Sequence, residues 1–274
     1  MNSAAEAMRN NMTRLNLKGI KQIGTRTCET CEKQIPIMQR IDADGEVHEV
    51  SDCLNCQTNE IRKSLPKIED LETRKVAGFS TRYERVPSKI RGKTVSEYKA
   101  ETETERNMRM AVAEYIRDFG KTEHHSLILK GSMGLGKSHL AYATGAALRR
   151  NGYATMFISS DDLLRLIKST YQDNKGIDEI TIFSMIEKLD LLVFDEIGAE
   201  YHNRKDDHET WASEQILKVV ELREDKPTIF TTNYGSEEME RKYGAIQGGR
   251  IISRMMSGAK SIKVEGRDRR IQEF

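Results

Sequence analysis

The sequence has no apolar run approaching the ~20 residues that cross a membrane as a helix, which excludes a spanning helix, and no membrane partner is expected. Its opening residues, MNSAAEAMRNN, lack the apolar stretch of a secretory signal. A cytoplasmic chain is therefore expected, where disulfides are rare. An excess of charge of one sign is missing too. The 44 basic and 43 acidic residues leave a net charge of +1. Composition alone then demands neither nucleic acid nor an acidic surface as partner, and any basic patch must be local. Hydrophobic residues are 37% and charged residues 32% of the chain, so a highly charged protein with a modest core is expected. Cysteine is scarce, with four in 274 residues, and in a reducing compartment those four need a use other than cross-linking. The length accommodates two domains.

What is present begins with those cysteines. Cys28-x-x-Cys31 and Cys53-x-x-Cys56 form one constellation. Two such knuckles suit a tetrahedral zinc site made of four thiolates, with no open position for catalysis. Between them lie IPIMQRI, then Asp42-Ala-Asp44-Gly45, then EVHEV, the pattern of a hairpin with a Gly-containing turn. Knuckles joined by a hairpin make a zinc ribbon. A redox pair or an iron–sulfur cluster is the alternative use of the same thiols. A unit of ~40 residues buries too little to hold itself, so the metal would supply folding free energy. Short helices are expected at Ser3–Leu15 and Thr58–Leu65.

The chain expected to do chemistry follows. Ser126–Leu140, SLILKGSMGLGKSHL, reads as a strand, a glycine-rich loop and the start of a helix. Its Gly131-x-x-x-x-Gly136-Lys137-Ser138 core is the phosphate-binding pattern in its required context. The expected nucleotide-binding run is Gly131, Ser132, Met133, Gly134, Leu135, Gly136, Lys137, Ser138 and His139. Lys137 would reach the β- and γ-phosphates of ATP, and the Ser138 hydroxyl would hold Mg²⁺. His139 suits packing better than chemistry. Downstream, Asp190-Leu-Leu-Val-Phe-Asp195-Glu196 is a buried parallel strand ending in two acids. Asp195 would hold the Mg²⁺, and Glu196 would orient and deprotonate the attacking water, which argues for hydrolysis. The strand PTIFTT then ends at Asn233, placed to touch the γ-phosphate. Strands and helices alternate throughout, so a parallel α/β/α sandwich is expected. The spans read as a ribbon over 1–65, a connector over 66–95 and an ATPase domain over 96–274. A helix is expected at Ser96–Phe119 with Ser96 as its cap. The basic residues Arg82, Arg85, Lys89, Arg91 and Lys93 read equally as a solvated connector or as a face for nucleic acid.

GSMGLGKSHLA, LLVFDEIGAE, TIFTTN and RIISRM, in that order over roughly residues 95–270, resemble the DnaC/DnaI-type helicase loaders, AAA+ ATPases related to IstB transposition helpers. The resemblance implies an AAA+ fold with a five-stranded parallel sheet ordered 5-1-4-3-2. It implies that Asn233 senses the γ-phosphate, that Arg254 or Arg250 acts on the nucleotide of a neighbouring subunit, and that Arg269 is the family's late arginine. It further implies ATP-dependent oligomers in a ring or spiral. The expected partners are a hexameric DnaB-type replicative helicase and single-stranded DNA, the latter near Arg165 and Lys168. The cysteine ribbon stands where the DnaC type carries a helical partner-binding domain, as in zinc-containing loaders. The runner-up is a transposition helper. A small-molecule kinase, or a DNA-reading module with ATP as a structural part, is a different class.

Overall fold

The computed structural model describes residues 20–41, 46–56, 68–171, 176–200 and 211–269. The helices expected at Ser3–Leu15 and Thr58–Leu65, and the turn Asp42–Gly45, lie outside those residues. The chain forms two units, Met1–Asp70 and Leu71–Phe274.

In the first unit, β1 (Ile20–Thr27), β2 (Gln34–Ile41) and β3 (Val47–Val50) form an antiparallel sheet in that order. The hairpin expected between the knuckles is β2–β3, with Met38 opposite Val50. β1 is an addition that the sequence reading lacks; its segment IKQIGTRT mixes charge and glycine and shows no clean alternation. The first knuckle is the turn between β1 and β2, closed by the Cys28 N–H donating to the Lys33 carbonyl at 2.9 Å. Arg26 fixes the second knuckle by donating to the Ser51 hydroxyl and carbonyl, both at 2.6 Å. Among the described residues of this unit, Cys28 and Ile35 are the hydrophobic side chains that are buried. Full burial of such a side chain contributes about 1.5–3 kcal/mol, far below the cost of ordering several dozen residues. Burial among the described residues alone therefore does not hold this sheet.

The second unit is built on five parallel strands, β4 (Ser126–Gly131), β5 (Thr155–Ser159), β6 (Leu191–Ile197), β7 (Thr228–Thr232) and β8 (Ala259–Val264). Their order is β5-β6-β7-β4-β8, which is the implied 5-1-4-3-2 counted along this unit. The helices are α1 (Ile68–Tyr83), α2 (Glu103–Arg117), α3 (Lys137–Arg150), α4 (Ser160–Ser169), α5 (Glu179–Glu187), α6 (Trp211–Leu222), α7 (Ser236–Tyr243) and α8 (Ala245–Met256). Alternate strand residues point to opposite faces, and the two faces carry separate cores. Leu192, Phe194 and Phe230 pack with α1 and α4–α8, whereas Leu191, Val193 and Ile229 pack with α2 and α3. The result is the three-layer sandwich expected.

Two expectations need correction. The first helix of the unit begins at Glu103, not Ser96. Thr102 caps it, taking the Glu105 N–H at 3.2 Å while Glu105 returns to the Thr102 N–H at 3.0 Å. The residues before it are drawn inward instead: Tyr98 is buried and its hydroxyl donates to the Leu135 carbonyl at 2.7 Å.

Residues 71–95, which the charge pattern marks as a connector, are built into the second unit. Val76 and Phe79 of α1 enter its core. The chain then runs along the outer strand β5. The Glu84 carboxylate accepts from the Phe157 N–H at 2.9 Å, and the Arg85 N–H donates to the Phe157 carbonyl at 3.3 Å. Arg149 pairs with Glu84 at 2.6 Å and donates to the Thr155 carbonyl at 2.7 Å. An open strand edge is a template for aggregation, and this segment covers it.

A chain begun at residue 96 should therefore aggregate, whereas one begun at residue 71 should stay dispersed with the far-ultraviolet spectrum of an α/β fold. Light scattering and circular dichroism check this, and a monodisperse folded 96–274 fragment would contradict it.

Candidate functional site

β4 ends where its chain must turn sharply into α3. Gly134 and Gly136 take φ of 75° and 77°, backbone states that favour glycine. Space requires glycine as well: a Cβ at Gly136 would run into the Tyr98 ring, and one at Gly134 into Asp268. Lys137 opens α3 and is 6% exposed. Its ammonium donates to the Gly131 and Ser132 carbonyls, each at 2.7 Å, and to Asn233 Oδ1 at 2.8 Å. A nearly buried cation held by these neutral acceptors, beside a helix N-terminus, attracts anions strongly. The third contact joins the glycine-rich loop to the end of β7, two of the segments the sequence marks.

The third marked segment meets them through hydroxyls. Asp195 is 2% exposed. Burial pushes its carboxyl up to about 6, against hydrogen bonds from the Thr231 and Ser138 hydroxyls. Thr231 donates to Asp195 Oδ1 at 2.6 Å and accepts from the Glu196 N–H at 2.9 Å. The ladder between β6 and β7 slips between Phe194 and Ile197, and Glu196 takes a positive φ of 56°. One side-chain oxygen thus replaces the ladder partner that the bulge removes. Such a backbone state costs about 1–3 kcal/mol in a non-glycine residue and leaves the Glu196 carboxylate exposed. The Ser138 hydroxyl and the Asp195 carboxylate are adjacent hard oxygen donors, the kind Mg²⁺ takes.

A second group of side chains sets the same bulge from behind. The Ser160 hydroxyl lies 3.0 Å from the Glu196 carbonyl and 2.6 Å from Glu200 Oε2. Glu200 is buried, and it also accepts from the Gly198 N–H at 3.0 Å and from the Tyr243 hydroxyl. Sequence reasoning missed Thr231, Ser160, Glu200 and Tyr243 as site-building residues. Thr231 and Glu200 stand inside the quoted motifs TIFTTN and LLVFDEIGAE, and that position was the available signal.

The remaining expected residues divide. His139 turns away from the loop: its Nε2 is 2.9 Å from the Thr94 carbonyl and its ring meets Tyr98 edge-on at 5.7 Å. Arg269 pairs with Glu105, donates to the Lys99 carbonyl at 2.5 Å and stacks over Tyr98 at 5.2 Å. It therefore braces the segment that supports the loop. Arg250 and Arg254 pair with Glu221 and Glu224, each at 2.7 Å. Glu221 lies in the last turn of α6 and Glu224 in the turn that leads to the start of β7, while Asn233 and Asp195 sit at the opposite, carboxyl end of the sheet. Arg254 and Arg250 are thus not gathered to the Lys137 site of their own chain. Arg165 is exposed and paired with Asp161 at 2.7 Å, and Lys168 lies 4.9 Å from the Trp211 ring centroid.

In the first unit the sulfurs of Cys28, Cys31, Cys53 and Cys56 lie within 4.8 Å of one another. Cys28 and Cys56 are 3.7 Å apart and Cys31 and Cys53 are 3.5 Å apart. A disulfide needs ~2.05 Å, whereas a tetrahedron of ~2.3 Å metal–sulfur bonds has edges of ~3.8 Å. The cluster has the size of a metal site. Backbone N–H groups of Cys31 and Thr30 bring the Cys28 thiol down to about 6, while the neighbouring sulfurs, Cys31 first, push Cys56 up to about 12. The four sulfurs could together hold a metal ion.

Known proteins resemble this chain as follows. The family model described as IstB-like ATP binding protein matches residues 70–273. The chain is 31% identical over 161 residues to a replicative helicase loader DnaC of Buchnera aphidicola subsp. Baizongia pistaciae (strain Bp), covering 59% of this chain and 62% of that one. It is 24% identical over 178 residues to the replicative helicase loader DnaI of Bacillus subtilis (strain 168), covering 59% of this chain and 54% of that one. The chain thus spans less than two thirds of these relatives' length. A crystal structure of the DnaC helicase loader superposes with a TM-score of 0.54 at 22% identity, covering 65% of this chain and 100% of that one. That likeness carries the fold.

The raised Asp195 pKa has a consequence for stability. The unfolded carboxyl ionises near 3.8 and the folded one near 6, so the folded state binds the proton more tightly. The penalty for the buried charge is absent below about pH 4, grows between 4 and 6 and is complete above 6. A gap of about two pH units corresponds to about 3 kcal/mol. Asp195→Asn should therefore raise the melting temperature at pH 7.5 without nucleotide or Mg²⁺, and the gain should shrink as pH falls to 4.5. Calorimetry against pH checks it; a variant less stable than wild type at pH 7.5 would contradict it.

Proposed function

The chain belongs to the IstB-like ATP binding protein family, and from that premise we propose that it hydrolyses ATP and delivers a hexameric replicative helicase of the DnaB type onto single-stranded DNA. One observation carries the reading: Lys137, Ser138, Asp195, Thr231 and Asn233 are linked to one another at the carboxyl ends of β4, β6 and β7. That is where ligands sit in open α/β sheets. The names of the relatives, replicative helicase loaders DnaC and DnaI, favour helicase delivery over transposition.

Each residue then has a task. The loop N–H groups from Ser132 to Gly136 and the Lys137 ammonium bind the β- and γ-phosphates. Ser138 and Asp195 hold Mg²⁺, which neutralises charge on the transferred phosphoryl group. Thr231 keeps Asp195 ionised and aimed. Glu196, exposed on its bulge, accepts the proton of the attacking water, and Asn233 orients that water from the other side. Because Arg254 and Arg250 sit toward the opposite end of their own sheet, the positive charge that completes the site comes from a neighbouring copy, and hydrolysis requires an oligomer in a ring or spiral.

The four cysteines hold Zn²⁺, which folds the first unit. Its sheet leaves Ile23, Ile41 and Val47 exposed, and Leu54 of the second knuckle is exposed as well, apolar side chains suited to an apolar patch on the helicase. Among the described residues no helix is long and apolar enough to cross a membrane, in keeping with a cytoplasmic role.

The test is co-purification with a replicative helicase, using wild type and Cys28→Ser. Wild type should retain the helicase in an ATP-dependent manner and the variant should lose it while still binding ATP. Recovery of a transposase instead would favour the IstB-type role. Glu196→Gln should lower turnover at least about 10²-fold while keeping ATP affinity, and should accumulate as an ATP-bound assembly on sizing columns. Unchanged turnover, or transfer of phosphate to a small acceptor, would overturn the proposal.

A further inference from the structure

Residues 71–99 carry eight basic side chains against three acids, and the structure spends all three acids on ion pairs. Glu72 meets Lys188 at 3.3 Å, Glu84 meets Arg149 at 2.6 Å and Glu97 meets Lys93 at 3.2 Å. Two of these partners come from outside the segment. Among the described residues no carboxylate lies within ion-pair distance of Arg74, Lys75, Arg82, Arg85, Lys89 or Arg91, and all six are exposed. In a chain whose net charge is +1, this is a concentrated positive field.

The cations are also arranged. Lys75, Phe79 and Arg82 lie at i, i+4 and i+7, on one face of α1. Arg85 donates to the Arg82 carbonyl at 3.4 Å and to the Glu84 carbonyl at 3.3 Å, so its guanidinium sits at the end of α1. Arg91 folds back to the Val86 carbonyl at 3.1 Å. Beside this ridge, between α1 and α5, is an open pocket of about 460 Å³. Its walls include Lys75, Arg82, Phe79, Tyr83, Ile177 and Met185, and among the described residues no carboxylate lines it. The Tyr83 ring packs against Phe79 at 5.1 Å and under the Arg82 guanidinium at 5.5 Å. Cations in a row suit a phosphate backbone, and an aromatic and thioether pocket beside them suits an unpaired base. An acidic protein surface would use the ridge but not the pocket.

We propose that the Lys75–Arg82–Arg85 ridge and the pocket between α1 and α5 bind single-stranded nucleic acid, with phosphates on the cations and a base in the pocket. This rests on the single-strand part of the proposed function and gives that strand a place away from Arg165 and Lys168.

The probe is a fluorescent oligothymidylate, titrated into the full chain with ATP at several salt concentrations, and compared with a duplex of equal length. The triple variant Lys75→Ala/Arg82→Ala/Arg85→Ala should bind the single strand at least tenfold more weakly. Each lost phosphate contact lowers the slope of log K against log salt by ~0.7 for single strands, so the slope should fall by about 2. ATP turnover without DNA should be unchanged. Unaltered affinity and slope would overturn the inference while leaving the loader reading intact. Duplex bound as tightly as single strand would remove the base pocket from it. Loss of helicase co-purification with oligonucleotide affinity untouched would assign the ridge to a protein. If wild type binds no oligonucleotide, the single-strand part of the proposed function falls with the inference, a result that the helicase and turnover assays separate from a fault in the ridge alone.

Discussion

A single hydroxyl holds the working end of this sheet in shape. Thr231 donates to the buried Asp195 carboxylate and accepts from the Glu196 N–H, joining β7 to a strand whose ladder has slipped beside it. Without that oxygen the part-buried Glu196 N–H would lose its acceptor, and Asp195 would lose one of its two hydroxyl donors. The last residue of β7 and the one after it continue the work, since Thr232 donates to the Ile197 carbonyl at 2.8 Å and Asn233 receives the Lys137 ammonium at 2.8 Å. The glycine-rich loop and the ends of β6 and β7 are in this way tied by side chains of one short, fully buried strand and of Asn233 just after it.

The arrangement spends stability to obtain reactivity. A carboxyl raised to about 6 by burial, and a glutamate held at positive φ, are each unfavourable alone. They persist because the surrounding core over-determines them: Leu191 to Phe194 are fully buried on both faces of the sheet, and the Ser160, Glu200 and Tyr243 group grips the bulge from the α4 and α7 side.

Much of this was legible in the sequence because the motifs are local. A glycine-rich loop between strand and helix, and an apolar strand ending in two acids, state their geometry within a dozen residues, and their meeting follows from the order of strands in a parallel sheet. Two pairs of cysteines state their cluster in the same way. The features that escaped are those that depend on distant partners. Ser80 donates to the Thr155 carbonyl 75 residues away, and Glu84 reaches Phe157 over 73, so the segment read as a solvated connector has its purpose written in a strand edge that periodicity does not reveal. The start of α2 was misplaced because Ser96 looks as good a cap as Thr102, and the burial of Tyr98 decides between them. Arg269, by resemblance the family's late arginine, pairs with Glu105 and lies over Tyr98, contacts with distant residues that no local motif announces.

The account rests on Lys137 being the cation that the triphosphate meets, within reach of Asn233 and across from Ser138 and Asp195. Titration calorimetry of Mg²⁺ and ATP into wild type and Lys137→Ala, with folding checked by circular dichroism, addresses it most directly. The account predicts a folded variant whose affinity for ATP falls at least about 100-fold, equivalent to about 2.7 kcal/mol. A folded variant that binds and turns over ATP as wild type does would contradict it.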